Sequence, residues 1–317
     1  MAQLQITRFG GIEVLEMADI NLTEPVGDEV LLDVLYASMN PVDTKTRAGL
    51  GWAAQQHKDD LPWTPGFDVC GIITAMGPDV QGFEIGQRVC GLVLQGGAYA
   101  SQMKASASLL VPVPKKITHA QAAALPTAGL TAWQALTEHA EVKAGDVVAV
   151  YAAAGGVGHL AVQLAHHLGA QVIALASEDN HDFVRKLGAD TVLDYHDPAV
   201  FTPCLGQVDV VLDLVGGQSG LDALQLLKPD GRQITVPTVA AENIKTAAAV
   251  IGKRAMGMLV RPDPQALANL LDLCVHGQLQ VHVSRVYSLQ DVPKAHQAIE
   301  NGHIRGKLLI DPRNLEM

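Results

Sequence analysis

The chain has 317 residues, of which 48% are hydrophobic and 4% aromatic, and its formal net charge is −11. That length exceeds most single domains and points to two, while an aliphatic composition poor in aromatics suits parallel strands covered by helices. The negative charge excludes nucleic acid or an anionic membrane as a general partner, because their phosphates would be repelled.

In chain order, the opening MAQLQITRFGG lacks the basic and then apolar layout of a signal peptide. The first third continues as short extended runs between turn residues. EVLLDVLYAS, VCGIITAMG, GQRVCGLVL and the proline-ended SLLVPVP predict the strands of a compact β-domain. The stretch GLGWAAQQHKDDLPW has no periodic pattern. At THAQAAALPTAGLTAWQAL the apolar period becomes helical.

From Asp146 onward strands alternate with helices. DVVAVYA, QVIALAS, TVLDY, VDVVLDLVGG and RQITVP read as strands, and HLAVQLAHHLG, HDFVRKLG and LDALQLLKPDG as the helices between them. Gly169 is placed to stop the first of these helices. Such an order predicts βαβ units with right-handed crossovers and a parallel sheet. The closing VHVSRVYSL, the helix VPKAHQAIENG and GKLLI return to short strands, expected to rejoin the first domain.

No apolar stretch approaches the roughly 20 residues that span a bilayer. Cys70, Cys90, Cys204 and Cys274 are scattered, with no CxxC pair and no disulfide framework, so the expected setting is a reducing cytoplasm. The histidines show no HxxxH or HxH spacing, and His166 and His167 are helix neighbours that point in different directions.

The chemistry-bearing stretch is YAAAGGVG. It departs from the G-x-G-x-x-G fingerprint, reading Ala152-x-x-Gly155-Gly156-Val157-Gly158. A pyrophosphate turn needs a tight bend, close backbone approach and close helix–strand packing. Ala154, Gly155, Gly156, Val157 and Gly158 can supply these, with free amides and the helix dipole facing the phosphates. The glycines follow a strand, open a helix and precede a second strand, which favours dinucleotide binding over a bare structural turn. No Gly-Lys-Ser/Thr follows, which disfavours a P-loop NTPase.

Cofactor choice turns on the end of the second strand. Ser177 and Asn180 could donate to a 2′-phosphate, but Glu178 and Asp179 would repel one and no base precedes Arg185. The residues alone leave NADH and NADPH open.

ASMNPVDTKTRAG, PWTPGFDVCGIITAMGPDVQGFEIGQRV, AAALPTAGLTAWQAL, AAAGGVG, LGADTVLDY and IRGKLLI stand in order over nearly the whole chain. Together they resemble the zinc-free quinone oxidoreductase branch of the medium-chain dehydrogenase/reductase superfamily. The resemblance implies a Rossmann doubly wound parallel sheet (125–276) inserted into a GroES-like β-domain formed by both chain ends (1–124 and 277–317), with the active site in the cleft. It also implies NADPH, with NADH possible, and a homodimer paired through the Rossmann sheet edge, for which RAMGMLV is the apolar candidate.

Zinc-dependent relatives carry a cysteine ligand where this chain has Asn40-Pro41-Val42-Asp43, and Gly-His-Glu where it has Gly66-Phe67-Asp68. Zn²⁺ needs three or four N, S or O ligands, so no zinc is expected. Hydride acceptors that need little electrophilic help, quinones and α,β-unsaturated carbonyls, then become the expected small-molecule substrates. The resemblance places Asn40, Asp43 and Thr127 as catalytic residues beside the nicotinamide, the alternatives being a turn residue ahead of Pro41, a helix cap and an N-terminal helix cap in that order, and Trp52 as an aromatic pocket wall. Val215 and Gly216 follow a strand at the sheet edge where ligands collect, so they are expected to contact the nicotinamide. Lys307 is expected either at a cofactor phosphate or in solvent. Tyr99, in GGAYAS, is read as part of a structural turn. Two further functions are weighed: a non-enzymatic nicotinamide-binding protein of the crystallin or trafficking kind, and an enoyl-thioester reductase.

Overall fold

The computed structural model describes residues 1–313. The chain divides into two compact units. The first comprises Met1–Thr127, Pro262–His276 and the residues from Val281 on; the second comprises Ala128–Arg261 and Gly277–Gln280.

Among the described residues of the first unit, β1 (Ala2–Ile6) and β2 (Leu15–Asp19) form a two-stranded antiparallel sheet. A larger sheet contains β3 (Glu29–Met39), β4 (Asp68–Met76), β5 (Arg88–Leu92), β6 (Gln102–Ser106), β7 (Leu110–Pro112), β14 (Val283–Ser288) and β15 (Lys307–Asp311). β3 is its spine. The inward side chains Val30, Leu32 and Val34 alternate with outward Leu31 and Asp33, the period of two that a half-buried strand requires. The first half of β3 pairs with β6, its last residues pair with β15, and β4 runs along its whole length. Val69, Ile73, Val89 and Tyr99 pack with these residues into one core, each aliphatic side chain contributing about 1.5–3 kcal/mol of burial.

Two short helices follow β3: α1 (Pro41–Arg47) and α2 (Gly51–His57). Pro41 at the first helical position explains where α1 starts. The stretch read as aperiodic thus folds in part as a helix, because its buried face is carried by Ala53, Ala54 and His57 rather than by large apolar residues. α3 (His119–Ala124), the first residues of α4 (Pro126–Gln134), α9 (Pro264–Val275) and α10 (Val292–Asn301) complete this unit's helices among the described residues.

The second unit holds β8 (Val147–Val150), β9 (Gln171–Leu175), β10 (Thr191–Leu193), β11 (Val208–Asp213), β12 (Leu227–Thr235) and β13 (Arg254–Gly257). All pair in parallel, in the order β10-β9-β8-β11-β12-β13. Numbered within the unit this is 3-2-1-4-5-6, the doubly wound order, and its topological switch lies between β8 and β11. α5 (Gly158–His167) is buried from Gly158 to Ala165 and ends before Gly169, whose φ of 81° ends the helix in the left-handed region. α6 (His181–Lys186), α7 (Gly217–Ala223) and α8 (Thr238–Val250) are the other crossovers.

The chain is thus an α/β protein with a Rossmann sheet inserted into a GroES-like domain. A second element differs from its sequence reading. LDALQLLKPDG is divided between the end of α7, a short 3₁₀ turn and the start of β12, since Leu227 pairs with Val208. Gly231 permits that irregular pairing, because a Cβ there would lie 2.8 Å from the Val208 carbonyl oxygen. Among the described residues no helix is long and apolar enough to cross a membrane.

Candidate active site

Two constellations carry chemistry. The first is the turn from β8 into α5. Tyr151 N–H donates to the Leu212 carbonyl and Ala153 N–H to that of Leu175, so the strands on either side fix the turn. Ala152 takes a left-handed φ of 50°, and its carbonyl accepts from Gly155 N–H at 2.9 Å. Gly156, Val157 and Gly158 open the helix, where first-turn amides have no carbonyl within the helix to bond and the dipole is positive. Gly158 is sterically required. A Cβ there would lie 2.2 Å from the Ala152 oxygen and 2.8 Å from Ala153 Cα, so the third glycine serves close helix–strand packing. A pyrophosphate fits such a cradle.

Beside it, β9 ends at Leu175 and is followed by the 3₁₀ turn Glu178–Asn180. Asn180 Nδ2 donates to Ser177 Oγ at 3.0 Å, so the two predicted phosphate donors stand together. Glu178 and Asp179 are exposed on the same turn, and Arg185 is paired with Asp182. After β11, Val215 and Gly216 donate their N–H groups to Asp213 Oδ1 at 3.0 and 2.7 Å. Asp213 is fully buried, and its other oxygen accepts from Thr235 Oγ1. This carboxylate, which the sequence reading passed over, pins the turn that Gly216 allows at φ 74°.

The second constellation lies in the first unit, where three strand ends meet. The registers Ser38↔Asp68 and Met39↔Leu308 bring the start of β4 and the start of β15 beside Asn40. Asp68 is fully buried. Its Oδ1 accepts from Thr127 N–H at 2.8 Å and Thr127 Oγ1 at 2.6 Å, and its Oδ2 accepts from Asn40 Nδ2 at 2.9 Å. Lys307 Nζ lies 4.0 Å from Asp68 Oδ2 and donates to Asn40 Oδ1 and to the Met39 carbonyl. Asp43 Oδ2 accepts from the Asn40 N–H at 2.7 Å, capping α1 from within. Burial raises the Asp68 carboxyl against the pull of Lys307, Asn40 and Thr127, and lowers the Lys307 ammonium against the pull of Asp68 and Asp43.

Sequence reading named Asn40, Asp43, Thr127 and Lys307 separately; the structure brings all four together around Asp68. It also shows how deeply three of them lie. Lys307 is 3% exposed with its ammonium committed to Asn40, Met39 and Asp68, so it is neither solvated nor extended toward a phosphate. Asn40 and Asp43 are 4% and 0% exposed, and the Asn40 amide bonds Asp68 and Lys307. Thr127, half-buried, is the member at the edge of the cluster. Asp68 is the residue that reasoning missed; its signal was a lone acid opening an apolar strand.

Trp52 stands on α2 with its ring 5.8 Å from that of Phe67, and Phe67 lies 5.8 Å from Trp63. His57 stacks on Trp63 at 4.2 Å. An aromatic wall therefore adjoins Asp68 in sequence. The exposed His166 and His167 take no part in either constellation.

The alcohol dehydrogenase GroES-like domain model matches residues 27–115, and the zinc-binding dehydrogenase model matches 187–310. The chloroplast envelope quinone oxidoreductase homolog of Arabidopsis thaliana is 32% identical over 330 residues, covering 98% of both chains. The solved quinone oxidoreductase from Coxiella burnetii is similar with a TM-score of 0.94 and 39% identity, covering 98% of this chain and 99% of that one. The Escherichia coli quinone oxidoreductase complexed with NADPH is similar with a TM-score of 0.84 and 25% identity, covering 98% of this chain and 100% of that one.

Proposed function

The chain belongs to the quinone oxidoreductase branch of the medium-chain dehydrogenase/reductase superfamily, and from that premise we propose that it is an NADPH-dependent, zinc-independent reductase of quinones or α,β-unsaturated carbonyls. The observation that carries the cofactor is the turn into α5, where Gly158 admits no side chain. Ala154 to Gly158 would hold the pyrophosphate, Ser177 and Asn180 the 2′-phosphate, and Val215 and Gly216 the nicotinamide end. When bound, the cofactor supplies a hydride to the substrate, whose oxygen gains charge.

This chain's residues supply the rest. Thr127 is the catalytic residue: its hydroxyl proton is held by Asp68 Oδ1, which leaves its oxygen as an acceptor that would position the nicotinamide amide. Asn40 and Asp43 are positioning residues that hold Asp68. Trp52 offers a planar face to a planar substrate. Zinc does not fit this cluster. Asn40 and Phe67 are not ligands for it, and the Lys307 ammonium 4.0 Å from Asp68 would repel a dication.

The test is NADPH oxidation against a panel of quinones and enones, with Thr127→Val beside the wild type. No turnover on any member sinks the enzymatic reading. Tighter binding of NADH than of NADPH by the wild type sinks the cofactor choice.

The same reading divides the chain at 1–124, 125–276 and 277–317; since Pro262–His276 cluster with the first unit, cofactor titration of excised 125–276 beside excised 125–261 would check the second boundary. A homodimer through β13 is supported by that strand's open edge and by exposed Met256 and Leu259; a monomer by light scattering at micromolar concentration disposes of it. A cytoplasmic setting is supported by the free thiols, including Cys70 and Cys90 directly opposite one another on β4 and β5. Cell fractionation decides it.

A further inference from the structure

The buried cluster holds two carboxylates, Asp43 and Asp68, and one ammonium, Lys307. Fully ionised it would carry an excess negative charge with no access to water, a costly state. One proton resolves the imbalance, and donor geometry says where it sits. Asp68 receives three hydrogen bonds, from Asn40 Nδ2, Thr127 N–H and Thr127 Oγ1, with Lys307 nearby. That set favours its ionised form. Asp43 receives a single one, from Asn40 N–H to Oδ2, and its Oδ1 is buried without a hydrogen-bond partner. Opposite it stands the Tyr99 hydroxyl, equally buried, outside standard hydrogen-bond geometry and without another partner.

We propose that Asp43 carries this proton on Oδ1, shared with the Tyr99 hydroxyl, and that the neutral acid keeps Asp68 ionised and fastened to Thr127. Asp43 is then a positioning residue, acting through Asn40 and Lys307. Its loss of the proton puts a second anion beside Asn40 and divides Lys307 between two carboxylates, loosening the hold on Thr127.

The surroundings agree. Burial pushes the Asp43 carboxyl up to about 7, and the like charge of Asp68 on β4 adds to this. The Asn40 N–H, Lys307 on β15 and the Tyr99 hydroxyl pull it down. From α10, His296 meets the Tyr99 ring edge-on at 6.4 Å. His296 Nδ1 faces Arg47 Nη1, which must be the donor, so the imidazole proton is on Nε2. Burial and Arg47 push His296 down to about 3, so it stays neutral, and Arg47 is paired with Glu300. From α2, His57 is engaged by Asp60. None of these supplies a second cation to Asp43.

The decisive experiment is infrared difference spectroscopy of the full-length protein between pH 5 and 9, on wild type, Asp43→Asn and Tyr99→Phe. The wild type is expected to show a protonated-carboxyl stretch that vanishes as pH rises through about 7. Asp43→Asn should lack that band, and Tyr99→Phe should keep it at a shifted frequency. A wild type without the band overturns the proposal, as does a band that persists in Asp43→Asn, which would put the proton elsewhere. Should Asp43→Asn not fold, an unshifted band in Tyr99→Phe overturns it equally.

The kinetic consequence rests on the reductase reading. Wild-type kcat is expected to fall by about tenfold per pH unit above the transition, while Asp43→Asn, an isostere of the neutral acid, stays flat. If no quinone is turned over, the reductase reading fails and the band still decides this one.

Discussion

The turn into α5 and the cluster around Asp68 are built from different materials. The turn is main chain: one stretch of eight residues, Tyr151 to Gly158, offering amides through local geometry. The cluster is side chain, gathered from Asn40, Asp43, Asp68, Thr127 and Lys307, with Lys307 lying 267 residues from Asn40. A main-chain site tolerates any side chain that leaves its path open and fails when a Cβ blocks it. A charge-balanced cluster fails when a single charge is removed, wherever in the sequence that charge resides.

Lys307→Met tests this contrast most severely. It strands Asp68, Asn40 Oδ1 and the Met39 carbonyl inside the protein, and breaking one partner of a buried pair costs about 3–5 kcal/mol. Thermal unfolding should move down by roughly 10 °C, with cofactor binding by the surviving folded protein unchanged. If Tm holds, the cluster is not the charge-balanced unit described here. Gly158→Ala should do the reverse. Its Cβ meets backbone 2.2 Å away, so the turn must move aside; if the overpacking cost of about 1–3 kcal/mol falls on the bound geometry, NADPH binding weakens by about 5- to 150-fold in fluorescence titration. Undiminished affinity would remove the steric argument.

A finer test uses pH. Asp43 holds its proton in the folded state up to about 7, whereas an unfolded chain releases it near the ordinary carboxyl value of about 3.9. The folded state therefore binds more protons between those limits. The stability this group contributes is full below the unfolded value and is lost as pH rises through about 7. Melting curves of wild type should show that decline, and Asp43→Asn should remove it, ending a few degrees above wild type at pH 8. Identical slopes would mean that Asp43 is ionised when folded. The smallest effect is expected from Glu178→Arg, which replaces an exposed anion near Ser177 with a cation and should tighten NADPH about tenfold relative to NADH. No change in that ratio would show that Glu178 lies too far from the 2′-phosphate to matter.

The same contrast explains what could be read from the sequence. The doubly wound unit was legible because its strands are buried on both faces and write themselves as apolar runs such as DVVAVYA and VDVVLDL. YAAAGGVG was legible because its parts are consecutive. Asp68 was not, since nothing in PGFDVCG indicates that β15 will deliver Lys307 beside it; that follows from the register of β3 with two partners. Lys307 was read as a phosphate contact or as solvated for the same reason, lysine being seldom buried, whereas here it is 3% exposed. α2 escaped notice because its buried face is alanine, and alanine carries little periodic signal.

Ala152 has one more consequence. A residue with a Cβ at φ 50° sits one position before the place of the fingerprint's first glycine, which Ala153 occupies, at a cost of about 1–2 kcal/mol. The fold absorbs that strain because hydrogen bonds from Tyr151 and Ala153 to the strands on either side hold the bend. What defines the nucleotide turn in this protein is therefore a dihedral angle, not a letter. A search by spelling passes it over, and a search by backbone shape does not.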